Sequence, residues 1–305
     1  MMGGIYVRIN FGDTERHIKY LFAKDTQFKI NNKVYKVILS GKPTCSNGEP
    51  KTDIYVLVED VNSSKQYEFK ISVKKHNADF LENKISAERA ESILGEDWSE
   101  IIQRSTLQLE NSFKNRALIY KNKQGRTNAG SITLGWKFEL VNKCNGELSN
   151  RILLNHQQIV DVYSGNTLPL SKRNSFVNGI QIPNSGVANL ILIGNIEDFN
   201  DVDSILANLI TIDAYAKSNP NIYFACKALN YRTFEHKFDG NRPLSVFVDW
   251  NAVNGKLEPT IRFDSPLTVK GNEVANKLLS TLSELNINST DDITDQHIDL
   301  HQYVY

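Results

Sequence analysis

The chain has 305 residues, and its 35 Lys and Arg residues balance 35 Asp and Glu residues to a formal net charge of zero at pH 7. A composition of 40% hydrophobic and 23% charged residues is typical of folded globular proteins and argues against a chain that is mostly disordered. No apolar run approaches the roughly 18 residues that a membrane helix needs, and residues 1–8 lack the apolar core of a signal peptide. The sequence therefore predicts a cytoplasmic protein that has no membrane partner.

The charges are distributed unevenly along the chain. Residues 1–150 contain 23 Lys and Arg against 18 Asp and Glu, and residues 151–305 contain 12 against 17, so the two halves carry +5 and −5. Basic residues are most concentrated in residues 113–143. Such a patch suits contacts with phosphate groups, and it suits an ordinary solvated surface equally well.

The first forty residues predict a helix followed by two strands. Residues 5–10 are expected to be a short strand or an extended arm, and residues 13–23 have helical spacing with Asp13 as the N-cap. Glu15 in the first turn is either an exposed glutamate or an acid that serves a nearby site. Residues 27–39 predict two strands joined at Asn31 and Asn32.

A loop and then a β-hairpin follow. Residues 41–50 are rich in Gly, Pro, Ser and Asn, and Lys42 and Lys51 are candidates there for contacts with phosphate. Residues 54–58 and 67–73 predict two strands with a polar connection between them. Asp53 comes directly before the first strand. Glu68 and Lys70 lie two residues apart on the second strand, so their side chains project from one face.

Two carboxylates and an ammonium group at one end of a small sheet suit metal-assisted hydrolysis. Carboxylate oxygens are hard ligands for Mg²⁺, which keeps several waters. A nearby lysine can orient the attacking water and stabilise charge on a phosphate. The same three residues are also compatible with an exposed hairpin whose solvent face happens to carry a pair of opposite charges.

The pattern Pro50-Lys51-Thr52-Asp53 followed by Glu68-Phe69-Lys70 resembles the PD-(D/E)XK nuclease superfamily, which includes most type II restriction endonucleases. Here the aspartate follows the proline by three positions rather than directly. The resemblance implies that Asp53, Glu68 and the Phe69 carbonyl bind Mg²⁺, with Mn²⁺ as a substitute, and that Lys70 serves the nucleophilic water. It also implies an additional acid from a helix before the sheet, for which Glu15 is the candidate.

The sequence Glu-x-Lys alone is a weak signal, because it also occurs at residues 49–51, 82–84 and 235–237. Only the copy at residues 68–70 lies on a predicted strand that follows another strand opening with an aspartate. Lys74 comes just after it, extends the charged face and is a further candidate for a contact with DNA. Residues 86–94 and 97–113 predict two helices, which completes the αβββα order that the resemblance implies.

Residues 117–140 predict strands around the loop at residues 123–130. Its Lys123, Arg126 and Asn128 are candidates for DNA contacts, since arginine can pair with guanine and asparagine with adenine. A mobile surface turn is the other interpretation of this loop. The turn near residue 146 is the predicted boundary between a catalytic region, residues 1–146, and a region for DNA recognition or dimerisation, residues 147–305.

In the second region, residues 149–163, 203–216 and 271–285 predict helices, and residues 187–193, 222–228 and 244–249 predict strands. The polar connection at residues 168–183 contains Lys172 and Arg173, which are further candidates for DNA contacts. The predicted fold class is α/β (α+β), with a restriction-endonuclease-like core of a central mixed sheet flanked by helices, plus a mixed α/β C-terminal half.

The sequence thus predicts a Mg²⁺-dependent DNA endonuclease, with a type II restriction enzyme that cuts a specific double-stranded site as the leading hypothesis. The resemblance implies a homodimer, because two-fold symmetry matches two active sites to two strands. The alternatives are a nonspecific phage or junction nuclease, and an inactive nuclease fold that serves as a DNA-binding or defence-complex subunit. A third alternative, an α/β interaction protein unrelated to DNA, predicts no salt-dependent affinity for DNA.

Overall fold

The computed structural model describes residues 11–76, 80–83 and 85–305, so the strand or arm expected at residues 5–10 lies outside the described residues. The helices are α1 (Phe11–Leu21), α2 (Ala87–Leu94), α3 (Trp98–Leu107), α4 (Glu110–Lys114), α5 (His156–Ser164), α6 (Leu170–Arg173), α7 (Val202–Asn208), α8 (Ile212–Ser218), α9 (Gly271–Glu284) and α10 (Leu300–Tyr303). The strands are β1 (Gln27–Ile30), β2 (Lys33–Gly41), β3 (Ile54–Asp60), β4 (Gln66–Lys74), β5 (Phe80–Glu82), β6 (Ile119–Tyr120), β7 (Ser131–Val141), β8 (Ser149–Ile152), β9 (Phe176–Val177), β10 (Ile180–Gln181), β11 (Leu190–Ile193), β12 (Leu209–Thr211), β13 (Ile222–Arg232), β14 (Lys237–Phe238), β15 (Val246–Val253) and β16 (Lys256–Arg262). This mixture of helices and strands confirms the predicted α+β class.

The chain divides into two units, and each unit is built from two separate stretches of sequence. Unit 1 comprises Met1–Ala78 and Asn155–Pro220, and unit 2 comprises Asp79–Leu154 and Asn221–Tyr305. This division differs from the boundary predicted near residue 146. The physical reason is strand pairing: β11 and β12 complete the sheet that β1–β4 begin, whereas β5–β8 pair with one another and with β13 and β15.

Unit 1 contains a six-stranded mixed sheet in the order β1-β2-β3-β4-β11-β12. The first four strands form an antiparallel meander, and the predicted hairpin is its β3–β4 pair. β11 then pairs in parallel with β4, from Leu190 opposite Ile71 to Ile193 opposite Lys74. A parallel neighbour requires a crossover connection, and within unit 1 the helix α5 lies on that connection.

Alternate side chains of β3 and β4 build the core of unit 1. Every second residue of a strand faces the same side, and the residues on one side are almost completely buried: Ile54, Val56, Val58, Ile71 and Val73. They pack with Ile18 and Phe22 of α1, neither of which is exposed. The opposite side of β4 carries Glu68, Lys70, Ser72 and Lys74, so the polar groups of this strand share the face that does not contact this core.

Several predicted helices have different bounds in the structure. α2, α3 and α4 form where residues 86–113 were predicted to be helical, but they belong to unit 2 and not to the unit that contains the β3–β4 hairpin. Residues 149–152 form β8 instead of helix, and α5 starts only after Asn155, whose side chain accepts the N–H of Gln158 in a capping box. The helix predicted at residues 203–216 is interrupted by β12, which adds to the sheet beside β11.

Unit 2 is organised around the long strands β7 and β13, which pair with each other over most of their length. β14 and β8 pair with β13, and β5, β6 and β15 pair with β7. The core of this unit is aromatic: the rings of Phe138 and Phe224 stack at 5.1 Å, and those of Phe113 and Trp136 meet edge to face at 4.9 Å. None of the helices in the described residues is both long and apolar enough to cross a membrane.

Residues 288–305, which contain four aspartates and neither Lys nor Arg, are folded into unit 2. The N–H of Leu118 donates to the carbonyl of Tyr303 at 2.9 Å, and the Nζ of Lys121 donates to the carbonyl of Ile293 at 2.6 Å. The segment therefore covers the backbone at the start of the basic stretch that the sequence analysis identified.

The core of unit 1 should depend strongly on β4. Ile71→Ala removes a side chain with 0% exposure, and such truncations leave a cavity that lowers the free energy of unfolding by roughly 2–5 kcal/mol. Val61→Ala, at a position that is 48% exposed in the β3–β4 turn, is the matched control and should change it by less than about 0.5 kcal/mol. Urea unfolding of both variants checks this, and equal losses would contradict the packing described.

Candidate active site

Asp53 is fixed at the point where β3 starts. Its N–H donates to the carbonyl of Ile71 at 2.9 Å. Its carboxylate oxygen Oδ2 accepts the N–H of Val73 at 2.7 Å and lies 3.4 Å from the Ser72 hydroxyl. The carboxylate therefore continues the β3–β4 hydrogen-bond ladder by one bond and is held beside the end of β4.

Glu15 reaches the same region from α1. Its side chain is 8% exposed, and its Oε2 accepts a hydrogen bond from Lys42 Nζ at 2.7 Å. The interpretation of Glu15 as an exposed glutamate is therefore wrong. Asp13 is not the N-cap that was predicted, because α1 already includes Phe11, and Asp13 forms an ion pair with Arg16 one turn on.

The two carboxylates line one cavity. It has a volume of about 200 Å³ and is bordered by α1, the residue after β2 and the start of β3, with Glu15, Lys42 and Asp53 among its lining residues. Burial raises the pKa of the Asp53 carboxyl above its usual value, and the charge of Glu15 raises it further. The charges of Lys74 and Lys42 and the N–H of Val73 act in the opposite direction but do not cancel the effect of burial.

Lys74 is the second ammonium group of this site. It lies two residues beyond Ser72 on β4, so both side chains project from one face of the sheet. Its charge is the strongest of those acting on the Asp53 carboxyl. In the structure, the segment Ser72-Val73-Lys74 therefore stands beside Asp53, where the sequence analysis expected Glu68-Phe69-Lys70.

Glu68 and Lys70 lie further along β4. Glu68 pairs with Leu57 and Lys70 with Tyr55, so Glu68 is four residues from Ser72, a distance of roughly 13 Å along a strand. The predicted constellation of Asp53, Glu68 and Lys70 is thus not brought together. The physical reason is the strand register, which places Asp53 opposite the end of β4 and leaves Glu68 near its middle.

Glu68 and Lys70 belong to a separate polar cluster. The hydroxyl of Tyr55 donates to Glu68 Oε1 at 2.6 Å, and Lys70 Nζ lies 3.5 Å from Glu68 Oε2. Burial, together with the bond to Glu68, raises the pKa of Tyr55, so the phenol stays protonated and donates. Asn189 accepts the N–H of Lys70 and donates to the carbonyl of Glu68, which ties β4 to the start of β11.

The side chain of Phe69, whose carbonyl was expected to bind the metal, packs in the core of unit 1 with its ring 6.3 Å from that of Phe28. Its backbone lies inside the β3–β4 pairing, opposite Val56. Within β4 the corresponding residue beside Asp53 is Val73.

The predicted DNA contacts fall on both units. Lys42, Lys51, Lys74, Lys172 and Arg173 belong to unit 1. Of these, Arg173 is partly committed to the fold, since its side chain donates to the carbonyl of Asn166 at 3.1 Å. Lys123, Arg126 and Asn128 belong to unit 2 and are exposed around a tight turn that the backbones of Gln124 and Thr127 close.

The charge difference between the two units is smaller than that between the two halves of the sequence. Counted by unit, the sequence has 16 Lys and Arg against 14 Asp and Glu in unit 1, and 19 against 21 in unit 2. The asymmetry is thus +2 against −2, smaller than the difference between the sequence halves. The local arrangement of basic side chains around the cavity is therefore a better guide to an anionic ligand than net charge.

Ser72 was not singled out from the sequence, and Lys74 was predicted as a DNA contact, not as a group near Asp53. The signal was the spacing of strand residues on either side of the β3–β4 turn. With a short turn at residues 61–64, the residue opposite Asp53 lies near residue 72 rather than residue 68.

The donor set suits a hard cation that needs few protein ligands. Within residues 11–76, 80–83 and 85–305, no group of three or more His, Cys, Asp or Glu side chains is placed to hold a metal ion. Mg²⁺ is often bound by one or two carboxylates and keeps its other ligands as water or substrate phosphate. Glu15 and Asp53 meet that smaller requirement, whereas a tightly caged metal does not fit this cavity.

Comparisons with protein families, with curated proteins and with solved structures found no match to this chain.

Asp53→Asn should stabilise the protein at neutral pH. The amide keeps an oxygen that accepts the Val73 N–H and removes the buried charge, so we expect the free energy of unfolding at pH 7 to rise by roughly 0.5–2 kcal/mol. Because the folded-state pKa of Asp53 is raised, the wild type should lose stability relative to the variant as pH rises from about 4 through that pKa.

Below about pH 4 the carboxyl is protonated in both states, and the two proteins should differ little. Urea unfolding at a series of pH values measures the difference. A variant that is less stable than the wild type at pH 7 would show that the charge of Asp53 is well compensated in the fold.

Lys42→Met should make stability depend more strongly on divalent cations. The hydrogen bond to Glu15 raises the pKa of Lys42. Removing the ammonium group of Lys42 leaves the buried carboxylate of Glu15 without this partner. Since Lys42 is half exposed and water screens the pair, we expect a loss of only about 1 kcal/mol. Mg²⁺ or Mn²⁺ should then raise the melting temperature more in the variant than in the wild type. Lys24→Met, at an exposed position, is the control, and an equal metal response in all three proteins would contradict the assignment.

Proposed function

We propose that unit 1 is the catalytic unit of a Mg²⁺-dependent nuclease that hydrolyses phosphodiester bonds in double-stranded DNA. The observation that carries this proposal is the convergence of Glu15 and Asp53 in one cavity with Lys42 and Lys74 beside them. The order of elements in unit 1 supports it: a helix, an antiparallel meander, a crossover helix and a parallel strand hold these four residues at one end of β3 and β4.

The carboxylates of Glu15 and Asp53 would hold the metal ion, for which Mn²⁺ would substitute. When bound there, Mg²⁺ supplies positive charge that polarises the phosphate and lowers the pKa of a coordinated water. The Val73 N–H fixes the orientation of the Asp53 carboxylate, and the Ser72 hydroxyl lies within reach of the same oxygen. These contacts reduce the motion of the ligand before the substrate arrives.

The two lysines have different roles in this proposal. Lys74 shares its face of β4 with Ser72 and acts on Asp53, so its ammonium group orients the attacking water and stabilises the negative charge that develops on the phosphate. Lys42 balances the charge of Glu15 when the cavity holds no cation and is available to a phosphate oxygen when it does. Glu68 and Lys70 do not bind the metal in this proposal. Their side chains contact Tyr55 or each other, and their backbone groups bond to Asn189 at the start of β11.

More specifically, we propose that the protein is a type II restriction endonuclease that acts in the cytoplasm as a homodimer. This proposal is supported by the resemblance at Pro50-Lys51-Thr52-Asp53, of which Asp53 lines the cavity, and by the presence of a second folded unit in the same chain. A second unit gives such an enzyme additional surface for contacts with the DNA backbone, which fix register and orientation on the duplex.

A second candidate function is favoured by one observation. The position of β4 opposite Asp53 is Ser72, whereas the PD-(D/E)XK pattern has an acidic residue on this strand. Within the described residues, no third acidic side chain joins Glu15 and Asp53. An inactive nuclease fold that binds DNA within a defence complex would tolerate this loss. It predicts DNA binding without cleavage.

A set of five variants separates the structural site from the sequence motif. Cleavage of unmethylated plasmid and phage DNA with Mg²⁺ or Mn²⁺ should fall at least roughly a hundredfold in Glu15→Gln, Asp53→Asn and Lys74→Ala, because each loses a group that contacts the metal, the water or the phosphate. Glu68→Gln and Lys70→Ala should keep cleavage within a few fold of the wild type.

Chelation of divalent cations by EDTA should abolish cleavage by the wild type. If Lys70→Ala is inactive while Lys74→Ala is active, the catalytic lysine is the one in the Glu-x-Lys motif and the assignment to Lys74 is wrong. If the wild type cleaves none of the substrates with either metal, the second candidate function replaces the first.

A further inference from the structure

A short β-hairpin stands next to the cavity in unit 1. β9 and β10 pair antiparallel, with Val177 opposite Ile180 and Phe176 opposite Gln181. The two residues between the strands, Asn178 and Gly179, have φ angles of 49° and 84°. Both are in the left-handed region, as a tight two-residue turn requires, so the tip of this hairpin has a defined shape.

The base of the hairpin is joined to the segment that carries Lys42. The N–H of Thr44 donates to the carbonyl of Phe176 at 2.9 Å, and the N–H of Phe176 donates to the carbonyl of Thr44 at 2.8 Å. The side-chain amide of Asn178 donates to the carbonyl of Ser40 at 3.0 Å. The hairpin therefore cannot move independently of the end of β2, which precedes Lys42 by one residue.

The hairpin carries two apolar side chains that are partly exposed in the described part of unit 1, Ile180 next to the turn and Phe176 at the base. Ile180 is 59% exposed and Phe176 is 44% exposed, and Leu170 nearby in sequence is 62% exposed. A β-carbon added at Gly179 would meet no heavy atom within 4 Å. An anchored hairpin with an open, partly apolar tip suits contact with another molecule better than it suits packing within its own unit.

The charge around the hairpin favours an anionic partner. Residues 166–186 contain Lys172 and Arg173 and no acidic residue. Lys172 extends over the loop before β3, since its Nζ lies 2.9 Å from the position that a β-carbon of Gly48 would take. Lys42, which lines the cavity together with Asp53, lies two residues before Thr44, whose backbone pairs with the base of the hairpin.

We infer that the β9–β10 hairpin is the element that reads base edges in the major groove of the DNA duplex, with Ile180 as a base-contacting residue and Lys172 as a phosphate contact. The inference rests on the proposed function and adds to it the surface that selects the substrate sequence. The major groove of B-DNA is about 12 Å wide and admits a two-stranded β-ribbon, whose strands lie about 4.8 Å apart. An apolar side chain at the tip can contact the methyl group of thymine, and a lysine beside it can hold the backbone in register.

The test separates base reading from phosphate binding. Asp53→Asn protein, which is expected to bind without cutting, is used to select preferred sequences from a pool of randomised duplexes. Affinity for the selected duplex and for a scrambled duplex is then measured by fluorescence anisotropy at several salt concentrations. Ile180→Ala in this background should reduce the ratio of the two affinities roughly five- to a hundredfold. Lys172→Ala should weaken binding to both duplexes similarly and lower the slope of log affinity against log salt by about 1.

Val61→Ala is the matched control, because Val61 is an exposed apolar residue in the β3–β4 turn of the same unit. It should leave the affinity ratio unchanged. The inference is overturned if a folded Ile180→Ala protein keeps the full ratio, or if the selection enriches no sequence. Cleavage by the wild-type chain tests the proposed function separately, so a nuclease that cuts DNA without using this hairpin would remain distinguishable from a protein that does not cut.

Discussion

The position of β4 between two partners of opposite direction is the constraint on which unit 1 depends. On one side β4 pairs antiparallel with β3, and on the other it pairs in parallel with β11. One face of the strand is committed to the core under α1, so its polar residues must all project from the other face. The carboxylate of Asp53 is then placed by the last bond of the β3–β4 ladder, at the N–H of Val73. The chemistry of the cavity thus follows from strand pairing.

The cavity combines groups that would each be unfavourable alone. Burial opposes the charge of Asp53, and Glu15 adds a second negative charge nearby, yet two ammonium groups and a backbone N–H act against that penalty. Carboxylates and ammonium groups whose charges are only partly compensated can still bind cations and phosphates. A fully neutralised ion pair would bind them less well. The cluster of Glu68, Lys70 and Tyr55 shows the contrast, because its acid already has a phenol and an ammonium as partners.

Local features of the fold could be predicted from the sequence, and features that depend on distant residues could not. The apolar run at residues 54–58 and the alternation at residues 67–73 identified the hairpin, and Asn31 and Asn32 identified the turn between β1 and β2, where both have positive φ angles. Glu68 and Lys70 were predicted beside Asp53 because Glu-x-Lys has the chemistry expected of the site, whereas the strand register brings Ser72 opposite Asp53. Burial of Glu15 depends on Lys42 and on packing that sequence spacing does not reveal. The unit boundaries depend on which strand becomes the neighbour of β4, and the apolar run at residues 190–193 does not specify its partner.

The parallel pairing of β4 with β11 also determines the order in which the protein can fold while it is being synthesised. After β4 leaves the ribosome, the whole first stretch of unit 2 must be made before β11 becomes available. At rates of roughly 5–20 residues per second this interval lasts on the order of ten seconds. During that time β4 presents unpaired N–H and C=O groups along one side, which is the feature that allows strands of different chains to associate. Nascent chains of this protein therefore pass through a stage with one exposed strand edge, and the sheet of unit 1 is completed only after β11 and β12 have been made.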